Sequence, residues 1–179
     1  MIAIVAVQTA AFSQNDKYVA AMKQNLAMFD SAKTVEDFTK LANTFERIGD
    51  AEKTQWLPYY YAGLALSTAG WMPAVSDKAA NATRINALCD KADAAATSDA
   101  DRAEILTIRN MAATQQMMVD PQTRYMSYGQ AAGQDLTKAL KLDPNNPRLY
   151  YRQGMRLLNT AVQVGGGEDQ AKPVFGKAL

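Results

Sequence analysis

Beyond its first thirteen residues, no stretch of this chain alternates apolar and polar residues with period two, while helix caps and breakers recur at short intervals. A chain punctuated in this way folds as a series of helices, and short connections make consecutive helices pack as antiparallel hairpins. Thr34-Val35-Glu36-Asp37 and Ser98-Asp99-Ala100-Asp101 read as capping-box-like helix starts. Pro58 falls in the first turn of another helix, and Asp143-Pro144-Asn145-Asn146-Pro147 stops one helix and launches the next. Eight helical segments follow: Asp16 to Asp30, Thr34 to Gly49, Trp56 to Gly70, Ser76 to Ala96, Ser98 to before Asp120, Pro121 to Leu142, Arg148 to Val162, and one from Glu168 onward. Tyr18, Met22, Leu26 and Phe29 share a face of the first, and Phe38, Leu41, Ala42, Phe45 and Ile48 form the inward stripe of the second. Alanine supplies about one residue in six, which suits both helix propensity and close helix contacts.

Composition removes whole classes of chemistry. The 179 residues contain no histidine and one cysteine, Cys89, so Ser-His-Asp and Cys-His catalysis, imidazole metal ligation, a Cys/His zinc site and an intrachain disulfide are all excluded. Nineteen basic against eighteen acidic side chains leave no electrostatic basis for a nucleic-acid partner. No phosphate-binding glycine loop occurs. Asp90, Asp93, Glu104 and Asp135 have ordinary helix-surface spacing, and no general acid and base pair stands out. Met111, Met117 and Met118 lie on an apolar helix face and read as core, Cys89 reads as a helix-buried thiol, and Gly165-Gly166-Gly167 reads as a flexible inter-helix connection. The expectation is a non-enzymatic protein without a cofactor or metal.

The uncharged run from Met1 to Ala11, ahead of the first charges at Asp16 and Lys17, has the form of a secretory leader. Ala11 and Ser13 fit cleavage before Gln14, although the basic n-region is missing; the alternative is a buried first strand or helix. The run is too short to span a membrane, so stable insertion is not expected. A leader implies a periplasmic or secreted protein.

Self-comparison finds an apolar-x-Lys-small-or-apolar core at Phe38, Cys89, Leu136 and Phe175, spaced by roughly 51, 47 and 39 residues. The flanks of the third copy closely resemble the second helix of a tetratricopeptide repeat and its exit turn, with Ala132, Leu136, Ala139 and Pro144 on the family's positions. The next copy places Tyr150 and Gly154 in a first helix and Ala171, Phe175 and Ala178 in a second, with extra residues around the glycine triplet. An earlier copy is suggested by Trp56, Tyr60 and Gly63, followed by Ile85, Cys89 and Ala92. The combination is similar to exported tetratricopeptide proteins of Bacteroidetes. The resemblance implies an all-α fold of antiparallel hairpins stacked as a short α-solenoid, with repeats at 56–97, 98–144 and 147–179, preceded by a leader remnant at 1–13 and a hairpin at 14–55. It further implies a scaffold in the cell envelope that displays a concave face to a protein or peptide, with Tyr60, Arg148, Tyr151, Arg152 and Asn159 as the contacting residues. Tyr60 and Tyr151 stand where the family's chaperone-binding members have a clamp lysine, so that activity does not carry over. The competing reading is a helical carrier of a small molecule or glycan in a nutrient-uptake system, hinted at by Trp56 and Trp71. Mass spectrometry of the protein recovered from an exporting host is expected to find Gln14 as the mature N-terminus; an intact Met1 overturns the leader and the envelope location.

Overall fold

Among the described residues every regular element in the computed structural model is helical, which bears out the all-α expectation. The structure describes the backbone from residue 5 and the side chains from residue 16 to Leu179, so the leader expected over 1–13 and its cleavage point lie outside the residues with described side chains. The chain divides into two compact units, Met1–Ala96 and Thr97–Leu179.

The first unit comprises α1 (Val5–Phe29), α2 (Val35–Glu52), α3 (Leu57–Ala69) and α4 (Lys78–Ala95), each packed on the one before it. Helix α2 begins where the capping box was expected: the Thr34 hydroxyl accepts from the Asp37 N–H at 3.1 Å, and Asp37 accepts from the Thr34 N–H at 3.0 Å. Its inward stripe is the expected one, with Phe38, Leu41, Ala42 and Phe45 buried. Between α2 and α3 the Tyr59 ring lies against Gly49, where a β-carbon would sit 2.7 Å from it. The Tyr59 hydroxyl continues across that contact to donate to Asp50 at 3.0 Å. Lys91 of α4 reaches Glu46 and Asp50 of α2, both at 2.9 Å, so the two outer helices are tied over the end of α3. That pairing lowers the Asp50 pKa below its ordinary value and raises that of Lys91. Cys89 is buried, as are Ile85, Leu88 and Ala92 of its own helix.

The second unit opens with α5 (Asp99–Val119), capped by a reciprocal Ser98–Asp101 box, and continues through α6 (Pro121–Arg124), a π-helical turn (Tyr125–Gly129) and α7 (Gln130–Leu142). These last three form one rod, in which the π turn is an interruption that the residue pattern does not announce. Helix α8 (Pro147–Leu158) and α9 (Glu168–Phe175) then form a hairpin. Ala103 of α5, Leu136 and Ala139 of α7 and Leu149 of α8 make the shared core, flanked by Leu106, Leu140 and Leu142.

Several expectations change here. Helix α1 begins at Val5, ahead of Asp16, and α8 stops at Leu158, short of Val162. The glycine triplet is not a loose linker. Gly165 and Gly167 adopt φ of 85° and 99°, and the Gly167 N–H donates to the Leu157 carbonyl at 2.8 Å, closing the end of α8 while starting α9. Met118 is 48% exposed, so it is not core; the π turn beyond it leaves Tyr125 and Met126 facing outward as well. Glu104 is buried and Asp135 is half-buried, and burial raises the Asp135 pKa against the opposing pull of Lys138 and Arg109. Among the described residues no helix is long and apolar enough to cross a membrane, and no cluster of three metal-ligating side chains occurs. Replacing Gly49 by alanine is expected to cost about 1–3 kcal/mol by driving a methyl group into the Tyr59 ring, read as a lower urea midpoint with an unchanged m-value.

Candidate functional site

Arg148 and Tyr151 are brought to one place by the helical spacing of α8, and that place is a cleft between α8 and α9. Its volume is about 530 Å³, and it is lined by Pro147, Arg148, Tyr151, Phe175, Ala178 and Leu179. Phe175 forms the wall because Gly154 has no side chain: a β-carbon at Gly154 would lie 2.6 Å from the Phe175 ring. The ring therefore presses on the α8 backbone and meets Tyr151 at 5.9 Å between centroids, the planes tilted by 52°. Tyr151 keeps 53% of its surface exposed, so one side of this aromatic pair faces the open cleft. Apolar groups dominate the lining, and the charge at its edge comes from Arg148.

That edge is held from behind. The buried Glu104 Oε1 on α5 accepts from Arg148 Nε at 3.0 Å, from Arg148 Nη2 at 2.7 Å and from Asn146 Nδ2 at 2.7 Å. Asn146 is in turn the N-cap of α8, its side chain accepting from the Arg148 N–H at 3.0 Å. One carboxylate thus fixes the start of α8 and the orientation of the guanidinium at the cleft. Pro147 in the first turn needs no partner for a missing N–H, which makes this Asn-Pro-Arg entry locally self-consistent.

The other residues expected at a binding face lie elsewhere. Arg152 turns toward α5 and α7: its Nη2 donates to Asn110 Oδ1 at 2.8 Å, and burial lowers its pKa. Asn159 caps the end of α8 and spends its amide on the Met155 carbonyl at 2.7 Å. Tyr60 belongs to the first unit, where its ring packs edge-on against Trp56 at 5.6 Å and Tyr61 at 5.2 Å. Tyr150 donates its hydroxyl to the Pro144 carbonyl at 2.7 Å and lies beneath Lys177, a structural tie between α8 and its flanking segments. Sequence reasoning missed the roles of Glu104 and Asn110, which act on this region from more than forty residues away, and of Asn146, two residues before Arg148. Their signal was absent because each is an ordinary polar residue until the fold buries it. Phe175 was read only as packing, although the same contact that packs it also exposes it to the cleft.

No protein-family model matches the chain, and no curated protein sequence does. Among solved structures it is similar to the HusA haemophore from Porphyromonas gingivalis, with a TM-score of 0.78 and 31% identity over 90% of this chain and 78% of that one. This likeness overturns the tetratricopeptide assignment, and with it the reading of a protein- or peptide-binding scaffold. The physical reason is that Ala132, Leu136, Ala139, Gly154 and Ala178 record where paired helices need small or apolar residues. Any hairpins packed at that distance select the same types, whatever their ancestry. Replacing Glu104 by glutamine keeps an acceptor but removes the charge; it is expected to destabilise by about 1–2 kcal/mol, and Glu104→Ala by more, since the alanine also strands Asn146. Urea unfolding of the two variants and of the Glu104→Ala/Arg148→Ala pair checks the coupling.

Proposed function

The chain belongs to the family of the HusA haemophore, and from that premise we propose that it is a haem-binding carrier, not an enzyme, with the α8–α9 cleft as the seat of the macrocycle. The observation that carries the reading is the aromatic wall of Tyr151 and Phe175 beside an open apolar cleft. Haem is a flat, largely apolar ring with acidic propionate groups, and it pairs with an apolar slot that has a basic edge. A volume of about 530 Å³ is that of a small-molecule site. Arg148, steadied by Glu104, supplies the basic edge.

A chain without histidine offers no imidazole to the iron, and Cys89 is buried in the first unit. The cleft would hold the macrocycle through aromatic and apolar contact, and the Tyr151 phenol is the iron-ligating type of group that its lining offers. Of the two functional readings of the sequence, the small-molecule carrier of an uptake system is the one supported by the family. Its glycan variant gains nothing from the tryptophans: Trp56 is packed against Tyr60, and Trp71 stands at the exit of α3. An exported location goes with this role, since a carrier that gathers haem works outside the cytoplasm, and the leader expected over 1–13 would take it there.

Titration with hemin, followed by absorbance, tests the seat. Tyr151→Ala is expected to weaken binding by about 10–100-fold, the loss of one buried aromatic contact, while Tyr151→Phe stays within about threefold of wild type. Equal losses in both variants would transfer the energy to the phenol oxygen, and unaltered binding in both would remove the cleft from consideration.

A further inference from the structure

The second unit concentrates exposed apolar side chains at the end away from the cleft. Glu104 accepts from Arg148 and, further along both helices, Asn110 accepts from Arg152, so α5 and α8 run in the same direction. Their last residues, Val119 and Leu158, therefore lie toward the same end of the unit. The π turn folds back onto the end of α5: Arg124 Nη1 donates to Gln116 Oε1 at 2.9 Å, and a β-carbon at Gly129 would lie 3.1 Å from Met117 Sδ. Around it Met118, Val119, Tyr125 and Met126 are between 44% and 66% exposed. Past α8, Val162 and Val164 of a short 3-10 turn are each 72% exposed.

Charge is missing from the same stretches. From Met111 to Gln134 the charged residues are Asp120 and Arg124, one of each sign, and from Leu157 to Gly167 there is none. Both charges are used locally. The Asp120 carboxylate accepts from the Thr123 hydroxyl at 2.7 Å, and the Arg124 guanidinium lies over the Tyr128 ring, 5.8 Å from its centroid. Globular chains ordinarily carry a charge at about one residue in four, so a charge-poor apolar end of this kind marks a contact surface. Side chains as exposed as Met126, Val162 and Val164 project outward and line no hollow. A protein partner of such a tip must supply a matching hollow, whereas a lipid surface is fluid and closes around what enters it. Tyrosine suits the depth where acyl chains meet headgroups, its ring buried and its hydroxyl wet. A zwitterionic headgroup layer has no net charge and neither does the tip, so the two meet with no charge unanswered on either side.

We propose that this tip is a membrane-contacting surface, dipping the π turn and the Val162–Val164 turn into the interface of an uncharged, zwitterionic bilayer. The attachment is peripheral and owes nothing to anionic lipid. The α8–α9 cleft lies toward the other end, lined from the start of α8 and the end of α9, so contact with lipid leaves it uncovered. The proposal is independent of which ligand that cleft takes.

The full chain is floated with vesicles of phosphatidylcholine alone and of phosphatidylcholine containing one third phosphatidylglycerol, at low and high salt, beside Tyr125→Ser/Met126→Ser and Val162→Ser/Val164→Ser. Wild type is expected to bind both vesicles alike and independently of salt, and each double variant to bind about tenfold more weakly with an unchanged melting temperature. Failure to bind phosphatidylcholine, binding to the anionic vesicles alone with loss at high salt, or equal binding by wild type and both variants overturns the proposal. Sedimentation of the same proteins without lipid reads the other occupant: a wild-type dimer that both variants dissociate, without vesicle binding, makes the tip an interface between copies and likewise overturns it.

Discussion

The second unit depends on one buried carboxylate. Glu104 lies on α5, yet it holds Asn146 and Arg148, the cap and first turn of α8, more than forty residues along the chain. A carboxylate out of water is tolerated only when its acceptor capacity is used, and here a single oxygen takes three donors. The direction in which α8 leaves the Asp-Pro-Asn-Asn-Pro turn follows from that bond set. So does the side of α8 that faces α5, and by exclusion the side left to form a cleft with α9. Arg148 is 69% exposed, so its ion pair contributes orientation more than stability.

Around this anchor, helix pairing is set by glycine. At Gly154 the Phe175 ring occupies the place of a side chain, and at Gly49 the Tyr59 ring does the same in the first unit. In each case an aromatic side chain lies on bare backbone, and its remaining face or hydroxyl is free for a second task. Tyr59 reaches Asp50, while Phe175 turns its outer edge to Tyr151. Close packing and the shape of the cleft are therefore one arrangement.

The residues differ in how far they could be read in advance. Thr34 and Ser98 were legible because a cap is a local device, complete within four residues. Arg148 and Tyr151 were legible as a pair because three positions apart on a helix is one face, although the ligand assigned to them was wrong. A peptide groove and an apolar small-molecule cleft call for the same amphipathic aromatics and arginines, so residue type alone does not separate them. Glu104 was misjudged for the opposite reason. It has the spacing of an exposed helix position, and its burial arises from a neighbouring helix that local periodicity does not register. The π turn at Tyr125–Gly129 escaped notice because it shifts a helix by one residue without a proline or glycine run to mark it.

What the sequence determined by itself is the all-helical character, the places where helices start and stop, and the exclusion of histidine-dependent chemistry. These follow from propensity, capping and inventory, each of which acts within a few residues or by absence. What the tertiary structure alone decided is which polar side chains are withdrawn from water, which faces of α8 meet α5 and α9, and where an apolar cleft opens. Those depend on contacts between residues distant in the chain, such as Glu104 with Arg148, and burial is a property of the assembled helices rather than of any segment. The repeat-like spacing of small residues stands between the two: it reports that helices pack closely, and the folded shape showed which family packs them this way.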